Sequence, residues 1–303
     1  MVSEPFRLAV VGAGRMGATH LRALAHSSAT PVVAIVEPIA PRRAELAGAY
    51  EVSGYASVSE LLDSGSCDGV VVVTPSTTHV AVIEEVASAG LPILCEKPCG
   101  TSPEDTRQAA EIVSRASVPL QVAYWRRFVP ELATLRQRMD DGELGTVLTI
   151  ICAQWDGSPP AAGFRAGSGG IFVDMGVHEF DQARWLTHGD LQRVEAVSST
   201  VMTDPAAEGD PDAAQAIALS TSGATVVVSL GRYFPGGDMA EVEVYGTGGH
   251  EIVRFLDPAG GDSAQLRALE RQASAFSRFA RGGACEGATV DDAVKALEAA
   301  AAT

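Results

Sequence analysis

Two short segments of this 303-residue chain carry side chains that could move a proton. In the first, Lys97 follows an apolar run typical of a buried strand, and its ammonium group could polarise a hydroxyl or carbonyl oxygen. In the second, Asp174 and His178 are four residues apart, so that on a helix they lie on one face. An imidazole one turn from a carboxylate can act as a general acid or base near neutral pH. The spacing alone leaves two alternatives open, an exposed lysine at a strand end and an ordinary His–Asp pair at a surface.

A glycine-rich turn lies near the start of the chain. Gly12, Gly14 and Gly17 follow an apolar run and precede a helical stretch. In such a turn the first glycine makes a tight bend, the second lets the backbone approach a pyrophosphate, and the third lets helix and strand pack closely. The N–H groups at the start of the helix favour the phosphates. The pattern therefore predicts a dinucleotide site that includes Gly12, Gly14, Arg15, Met16 and Gly17.

Glu37 ends the next predicted strand and supplies a carboxylate where the adenosine ribose would lie. A carboxylate there accepts hydrogen bonds from the ribose and repels a 2′-phosphate, which favours NAD over NADP. Arg42 and Arg43 lie close in sequence and weaken this preference, because an arginine can accommodate that phosphate.

Two further segments follow predicted strands at the edge where open α/β sheets bind ligands. Thr74, Pro75 and His79 come after the fourth strand, and we expect them to wall the nicotinamide ribose. Glu96 and Lys97 come after the fifth strand on the same edge. All five residues are therefore candidates for cofactor binding.

The elements that would hold these residues change character along the chain. Up to residue 123 short β-rich runs alternate with helical stretches, which predicts a doubly wound parallel sheet. Later a helix at 172–186 is followed by successive strands, which predicts an open sheet. These strands are expected at 194–202, 214–220, 224–230 and 240–245. The expected fold is α/β. We expect a Rossmann domain at 1–123 and an α+β domain with a mostly antiparallel sheet at 124–303. The sequence leaves open whether the final helix packs back on the first domain.

Composition narrows the class of protein. The chain has 22 Lys and Arg against 38 Asp and Glu, a net charge of −16, which opposes binding to nucleic acid and anionic membranes. No apolar run reaches the roughly 18 residues of a membrane helix, and the acidic start does not match a secretory signal, so we expect a cytoplasmic protein. The 5 cysteines are odd in number and scattered along the chain, which favours reduced thiols over a disulfide framework. We expect no metal site, because Cys95 and Cys99 lack a second Cys/His pair.

Taken together and in order, three motifs resemble the glucose–fructose oxidoreductase/inositol dehydrogenase (Gfo/Idh/MocA) family. They are the glycine turn, the sequence Cys95-Glu96-Lys97-Pro98, and the segment 169–181. Within the family, Arg126-Arg127-Phe128 and the segment 174–181 look most like the inositol 2-dehydrogenase branch. The resemblance implies a Rossmann domain followed by a mixed α/β domain whose open sheet supports homodimers or homotetramers.

The same resemblance implies roles for individual side chains. Lys97 would contact both substrate and cofactor, His178 would take the hydroxyl proton, and Asp174 would orient the pair. Trp125 and Trp155 depart from the Asn and Arg that inositol-type members often carry there. Their indoles could stack on a sugar face or accommodate an apolar substituent, and packing in the core is an equal alternative. The expected substrate-binding residues are Lys97, Trp125, Trp155, Asp174, His178 and, more weakly, Tyr233, for which a sheet-edge position is the alternative.

The chemistry that follows is the NAD-dependent oxidation of a secondary alcohol, on a cyclitol or a sugar, to the ketone. No metal is needed, because Lys97 and His178 can supply the electrophile and the base. Three alternatives stay open: an NADP-preferring reductase of a keto-sugar, an enzyme that uses tightly bound NAD on glycosides, and a dinucleotide-sensing regulator without enzymatic activity.

Overall fold

A computed structural model describes residues 4–161, 165, 168–202 and 210–303. Their contacts divide the chain into two compact units. The first unit comprises the described residues up to Trp125 together with Leu266–Val294, and the second comprises the described residues of Arg126–Gln265 together with Lys295–Thr303. One six-stranded sheet is formed by strands of the first unit and another by strands of the second.

The sheet of the first unit is parallel throughout. Its strands are β1 (Leu8–Val11), β2 (Val32–Val36), β3 (Ser53–Tyr55), β4 (Gly69–Val72), β5 (Ile93–Cys95) and β6 (Leu120–Val122). They lie in the order β3-β2-β1-β4-β5-β6, and each pairs in parallel with its neighbour. Every residue of β1 and β4 is buried, which is why these strands are continuous apolar runs. The predicted doubly wound Rossmann sheet is confirmed.

Helices connect these strands and complete the core. They are α1 (Arg15–Leu24), α2 (Ala40–Tyr50), α3 (Val58–Ser64), α4 (His79–Ser88) and α5 (Pro103–Ala116). The start of α5 has the cap that its sequence predicts, since the Ser102 hydroxyl accepts the Asp105 N–H at 3.1 Å and Pro103 is the first helical residue. A later helix, α8 (Ser263–Ala280), places Phe276 in the core of this unit, edge-on to Phe6 with 5.9 Å between the ring centroids.

The second unit holds a mostly antiparallel sheet, as the sequence predicts. Its strands are β7 (Val147–Trp155), β8 (Leu191–Ser199), β9 (Ala213–Ser220), β10 (Thr225–Gly231), β11 (Met239–Gly246) and β12 (His250–Leu256). The order is β12-β11-β7-β10-β9-β8, in which β10 runs parallel to β7 and the other neighbours pair antiparallel. The remaining helices are α6 (Pro130–Asp140), α7 (Val177–Thr187) and α9 (Val290–Ala301).

Two differences from the predicted pattern lie in the second unit. The helix expected at 172–186 is two elements, a π-helical turn at Phe172–Gly176 that leads into α7. The edge strand β12 was not predicted, because charged residues and an exposed Ile252 hide its alternation. An edge strand pairs on one side and has less apolar surface to bury, so its sequence pattern is weaker.

The two faces of the second sheet differ in character. On one face, Cys152 of β7 is buried and its sulfur accepts a hydrogen bond from Gln182 of α7 at 3.6 Å. On the opposite face, the side chains of Val197 and Ile217 are 67% and 55% exposed. The alternation along each strand therefore leaves apolar side chains uncovered on one face of the sheet.

Candidate active site

The glycine turn joins β1 to α1. Gly12 has φ +102°, and a Cβ there would lie 2.7 Å from the Val73 carbonyl oxygen. A Cβ on Gly17 would lie 2.1 Å from the carbonyl oxygen of Gly12, so these two positions exclude any side chain. Gly14 is different, because a Cβ there would meet no atom within 4 Å. The turn is thus closed around Gly12 and Gly17 and open beside Gly14.

The open space beside Gly14 lies at the start of α1. Gly14 is the N-cap of this helix and, as a glycine, has no side chain to cap the first N–H groups. Arg15 and Met16 are the first residues of the helix and are exposed and half-buried, respectively. Uncapped N–H groups beside open space are suited to bind phosphate oxygens, so this cradle fits the pyrophosphate of a dinucleotide.

Glu37 directly follows β2 at the same edge of the sheet. Its side chain is buried, and Oε1 accepts the Ile39 N–H at 2.9 Å while Oε2 lies 4.0 Å from Nε of Arg42. Arg43 donates instead to the carbonyl oxygen of Glu37, at 2.6 Å. The backbone therefore holds the carboxylate in place, and Arg42 is a cation at its side.

His79 connects the loop after β4 to the loop after β5. Its ring is buried, with Nδ1 2.9 Å from the carbonyl oxygen of Pro98 and Nε2 2.8 Å from that of Thr74. Burial lowers the pKa of His79, although both carbonyl contacts act to raise it. Pro75 follows Thr74 and precedes a short 3₁₀ turn at Ser76–Thr78. The imidazole of His79 thus connects two of the predicted ligand-binding loops.

Lys97 is half-buried in the loop after β5, with a cis peptide bond to Pro98. The preceding Glu96 is buried, and its Oε1 lies 2.8 Å from Nε2 of His20 on α1. The other carboxylate oxygen of Glu96 accepts the N–H of Lys97 at 3.2 Å. The side chain of Glu96 therefore holds the backbone that carries Lys97.

Asp174 and His178 lie on successive turns of one helical segment in the second unit. Asp174 belongs to the π-helical turn, where its N–H donates to the carbonyl oxygen of Gly170 at 2.9 Å, and His178 is the second residue of α7. The Asp174 side chain is 13% exposed and His178 is 7% exposed. Single π-helical turns occur frequently at functional sites. Here the turn places a carboxylate just before the helix that carries the imidazole.

Two buried ion pairs hold the helix at residues that follow His178. Arg126 donates to Glu179, and Arg127 pairs with Asp181 through two hydrogen bonds of 3.0 and 2.6 Å. Both arginines lie in the turn Trp125–Phe128, and both acids lie in α7. Removing one partner of such a pair strands a buried charge, so the register of the helix relative to this turn is strongly held. The two segments that look like the inositol 2-dehydrogenase branch therefore contact each other directly.

Sequence reasoning missed a buried arginine that contacts Asp174. Arg232 is 1% exposed, and its Nη1 donates to Oδ2 of Asp174 at 2.8 Å. The same guanidinium lies 3.5 Å from Asp156 and donates to Asp210 at 3.2 Å. Burial acts to lower the pKa of Arg232, but Asp174 and Asp210 raise it above its ordinary value. Arg232 is 58 residues away from Asp174 in sequence, and no local pattern connects the two.

Asp156 is the third acid beside Arg232, and burial raises the pKa of its carboxyl group. The hydrogen bond from Gln154 and the charge of Arg232 lower that pKa, while Asp238 and Asp174 raise it further. A folded-state pKa above the unfolded value means that Asp156 contributes stability below the unfolded pKa and loses it as pH rises through the folded pKa.

We therefore expect Asp156→Asn to gain thermal stability relative to the wild type as pH rises. The two proteins should have similar melting temperatures at about pH 3, below the ordinary carboxyl pKa of 3.8, and the variant should melt higher by a few degrees near pH 8. Scanning fluorimetry of both proteins across this range checks the expectation. A constant difference at all pH values would contradict it.

The remaining aromatic candidates lie in different environments. Trp125 is 4% exposed and is packed in the first unit. Trp155 is half-buried at the end of β7, where Nε1 donates to Ser229 at 3.2 Å and the ring covers Gly231 so closely that a Cβ there would lie 2.1 Å from it. Tyr233 directly follows Arg232 and is half-buried. The second unit therefore brings Trp155, Tyr233, Asp174 and His178 into one set of neighbouring elements, and the first unit groups the cofactor candidates and Lys97.

The described part of the chain was also compared with the requirements of a metal site, a membrane-spanning helix and a disulfide. Among the residues that the structure describes, no group of three or more His, Cys, Asp or Glu side chains is placed to hold a metal ion. No described helix combines the length and the apolar character that crossing a membrane requires. The five cysteines, all among the described residues, are not joined by disulfides, and four of them are buried.

Comparison with known proteins agrees with this architecture. The model of the oxidoreductase family with an NAD-binding Rossmann fold, Gfo/Idh/MocA, matches residues 6–124, and the model of the Gfo/Idh/MocA C-terminal domain matches residues 132–250. The chain is 48% identical to the rhizopine catabolism protein MocA of Rhizobium meliloti, over 96% of this chain and 92% of that protein. It is 32% identical to an inositol 2-dehydrogenase of Rhizobium meliloti strain 1021, over 80% and 74% of the two chains.

A solved structure is similar over nearly the whole length. The myo-inositol dehydrogenase of Corynebacterium glutamicum ATCC 13032 superposes with a TM-score of 0.89 at 27% identity, covering 98% of this chain and 95% of that one. Both domains match in order, and the glycine turn leaves the space that a bound dinucleotide needs. The chain therefore belongs to the Gfo/Idh/MocA family of oxidoreductases, and its first unit contains the family's NAD-binding Rossmann domain.

Proposed function

We propose that this enzyme oxidises a secondary alcohol of a cyclitol or a pyranose sugar to the ketone, with NAD as the acceptor. The observation that supports it most is that Asp174 and His178 lie on successive helical turns, with the Asp174 carboxylate held by a buried arginine. A pure nucleotide sensor would need no such acid/base pair. A metal is unnecessary, because a lysine and an imidazole can supply an electrophile and a base.

Three side chains divide the work in this proposal. His178 takes the proton from the substrate hydroxyl as general base. Lys97 donates to the same oxygen and stabilises the negative charge that develops on it. Asp174 orients the imidazole and favours its protonated form once the proton has moved. A nicotinamide cofactor, held by the residues of the first unit, would supply the acceptor for the carbinol hydride.

The cofactor would be held by residues of the first unit. The backbone of Gly12, Gly14, Arg15, Met16 and Gly17 would bind the pyrophosphate. Glu37 would accept hydrogen bonds from the adenosine ribose, which supports NAD over NADP even with Arg42 beside it. Thr74, Pro75 and His79 would shape the wall at the nicotinamide ribose. Glu96 would act indirectly, by holding the backbone of Lys97, because its carboxylate oxygens contact His20 and that backbone.

The substrate class rests on the relatives and on the aromatic residues of the second unit. Relatives of this chain are named for inositol oxidation and for rhizopine catabolism. Trp155 and Tyr233 are half-buried, so each could cover one face of a ring-shaped substrate. Trp125 is only 4% exposed, which favours the alternative of packing in the core over contact with the substrate.

The decisive experiment is an NADH absorbance assay against a panel of cyclitols, sugars and glycosides, with NAD and NADP run in parallel. We expect turnover of at least one cyclitol or sugar with NAD and little turnover with NADP. Faster turnover with NADP would overturn the preference assigned to Glu37. Cofactor retained through purification, with turnover restricted to glycosides, would indicate bound-cofactor chemistry instead. Cofactor binding without turnover of any compound would favour a sensor.

We assign the NAD-binding role to residues 1–123 and substrate binding and assembly to residues 124–303. The uncovered apolar side chains on the second sheet, including Val197 and Ile217, support assembly into dimers or tetramers through this face. The free thiols fit a reducing compartment, and we place the enzyme in the cytoplasm. Light scattering of the purified protein should give a dimer or tetramer, and a monomer at micromolar concentration would contradict the proposed assembly.

A further inference from the structure

Arg232 owes its place to the parallel pairing of two strands. Gly231, the last residue of β10, pairs with Trp155, the last residue of β7. Because the strands run in the same direction, the residues that follow them, Arg232 and Asp156, leave the sheet at the same edge. The Asp156 N–H donates to the carbonyl oxygen of Gly231 at 2.9 Å, which fixes this junction.

The guanidinium of Arg232 bridges three carboxylates from different parts of the chain. Asp174 comes from the π-helical turn, Asp156 from the end of β7, and Asp210 from the segment before β9, at distances of 2.8, 3.5 and 3.2 Å. An arginine is always charged and presents its donors in a rigid fork, so it can serve several carboxylates at once. The three acids would repel one another without this cation.

A hydrogen-bonded chain extends this cluster to the helix that carries His178. Asp156 accepts from Nε2 of Gln154 at 3.0 Å, and the oxygen of Gln154 accepts from Arg126. Arg126 in turn donates to Glu179, which follows His178 directly. Asp174 is therefore connected to α7 in two ways. One is the backbone between them, and the other is the series of hydrogen bonds that begins at Arg232.

We propose that Arg232 is a positioning residue, which holds the carboxylate of Asp174 in the orientation that His178 requires. The inference rests on the proposed role of Asp174. In this role Arg232 affects turnover by holding Asp174, whose carboxylate it contacts at 2.8 Å. Its loss therefore matters for turnover only while Asp174 is present.

A double-mutant cycle between Arg232→Met and Asp174→Asn tests this. We expect R232M to lower kcat by about 100-fold, the scale of a misplaced reacting group, with the Kd for NAD unchanged. In the D174N background the same change should alter kcat by less than about twofold, because the side chain it positions is already inactive. If R232M does not fold, R232K takes its place in the cycle, since lysine keeps the charge and lacks the fork.

Asp210→Asn is the matched control, because it removes the charge of another partner of Arg232 and leaves the contact with Asp174. It should lower kcat by no more than about threefold while the melting temperature falls, as expected for a lost buried ion pair. A loss of kcat by the same factor in both Asp174 backgrounds, or a wild-type kcat in R232M, would overturn the inference. So would a crystal structure of R232M in which the Asp174 carboxylate has not moved.

The variants distinguish a failure of the role proposed for Asp174 from a failure of the role proposed for Arg232. Full turnover of D174N would remove the role of Asp174 itself. An inactive D174N beside an unaffected R232M would remove only the role assigned to Arg232.

Discussion

Replacing His178 by alanine should lower kcat by about 1,000-fold, within the range that general acid/base groups contribute. The alcohol proton would then have no acceptor at this position, while the cofactor cradle lies in the other unit and is untouched. The Kd for NAD, measured by calorimetry, should therefore stay within about twofold of the wild type. Turnover is followed as NADH absorbance with the best substrate of the panel.

His250→Ala is the matched control, because it makes the same change at a half-exposed site in the same unit. His250 contacts Glu243 at 2.8 Å and stacks on Tyr245, and neither of these residues is a candidate for catalysis. Its kcat should be that of the wild type. A kcat of the H178A variant within tenfold of the wild type would show that His178 is not the base.

Gly14→Ala should remove NAD binding and leave the fold intact. The glycine has φ −65°, which alanine adopts without strain, and a Cβ there meets no protein atom within 4 Å. The melting temperature should therefore be unchanged in the absence of cofactor. The methyl group would occupy the space that the pyrophosphate needs, so we expect the Kd for NAD to rise by at least about 100-fold, as for loss of a well-placed buried contact.

Two other glycines separate an effect on the cofactor from an effect on folding. Gly17→Ala should lower both stability and NAD affinity, because its Cβ would lie 2.1 Å from a backbone oxygen. Gly48→Ala in the last turn of α2 has open space, and it should leave NAD binding unchanged and raise stability slightly. Wild-type NAD affinity in G14A would contradict the assignment of this turn to the pyrophosphate.

The two glycine predictions also show how far local sequence carries the cofactor site. The close packing at Gly17 follows from the spacing of the glycines, because a Cβ there would meet Gly12, a neighbour in the chain. The positive φ of Gly12 is also a local requirement, whereas its close approach to Val73 depends on the pairing of β1 with β4. The role of Glu96 does not follow in this way. Sequence order placed it among the cofactor residues, whereas its carboxylate is buried against His20, 76 residues away.

For the fold, the sequence by itself was sufficient to predict the class and most of the elements. Alternating strands and helices in the first unit and successive strands in the second are periodic patterns, and a period of two or 3.6 residues is a local property. The misses were at places where packing overrides the local pattern. They are the π-helical turn at Phe172–Gly176 and the edge strand β12.

For the candidate site, the sequence determined which residue types are available, and the tertiary structure decided which of them meet. The i, i+4 spacing of Asp174 and His178 was visible in the chain. Their supports were not, since the contacts Arg232–Asp174, Arg126–Glu179 and Arg127–Asp181 join residues more than 50 positions apart. Such contacts arise because parallel pairing of β7 with β10 and packing of α7 against the turn Trp125–Phe128 bring distant segments together. A buried charge must then find a partner across those segments, and no periodicity within either segment specifies which one.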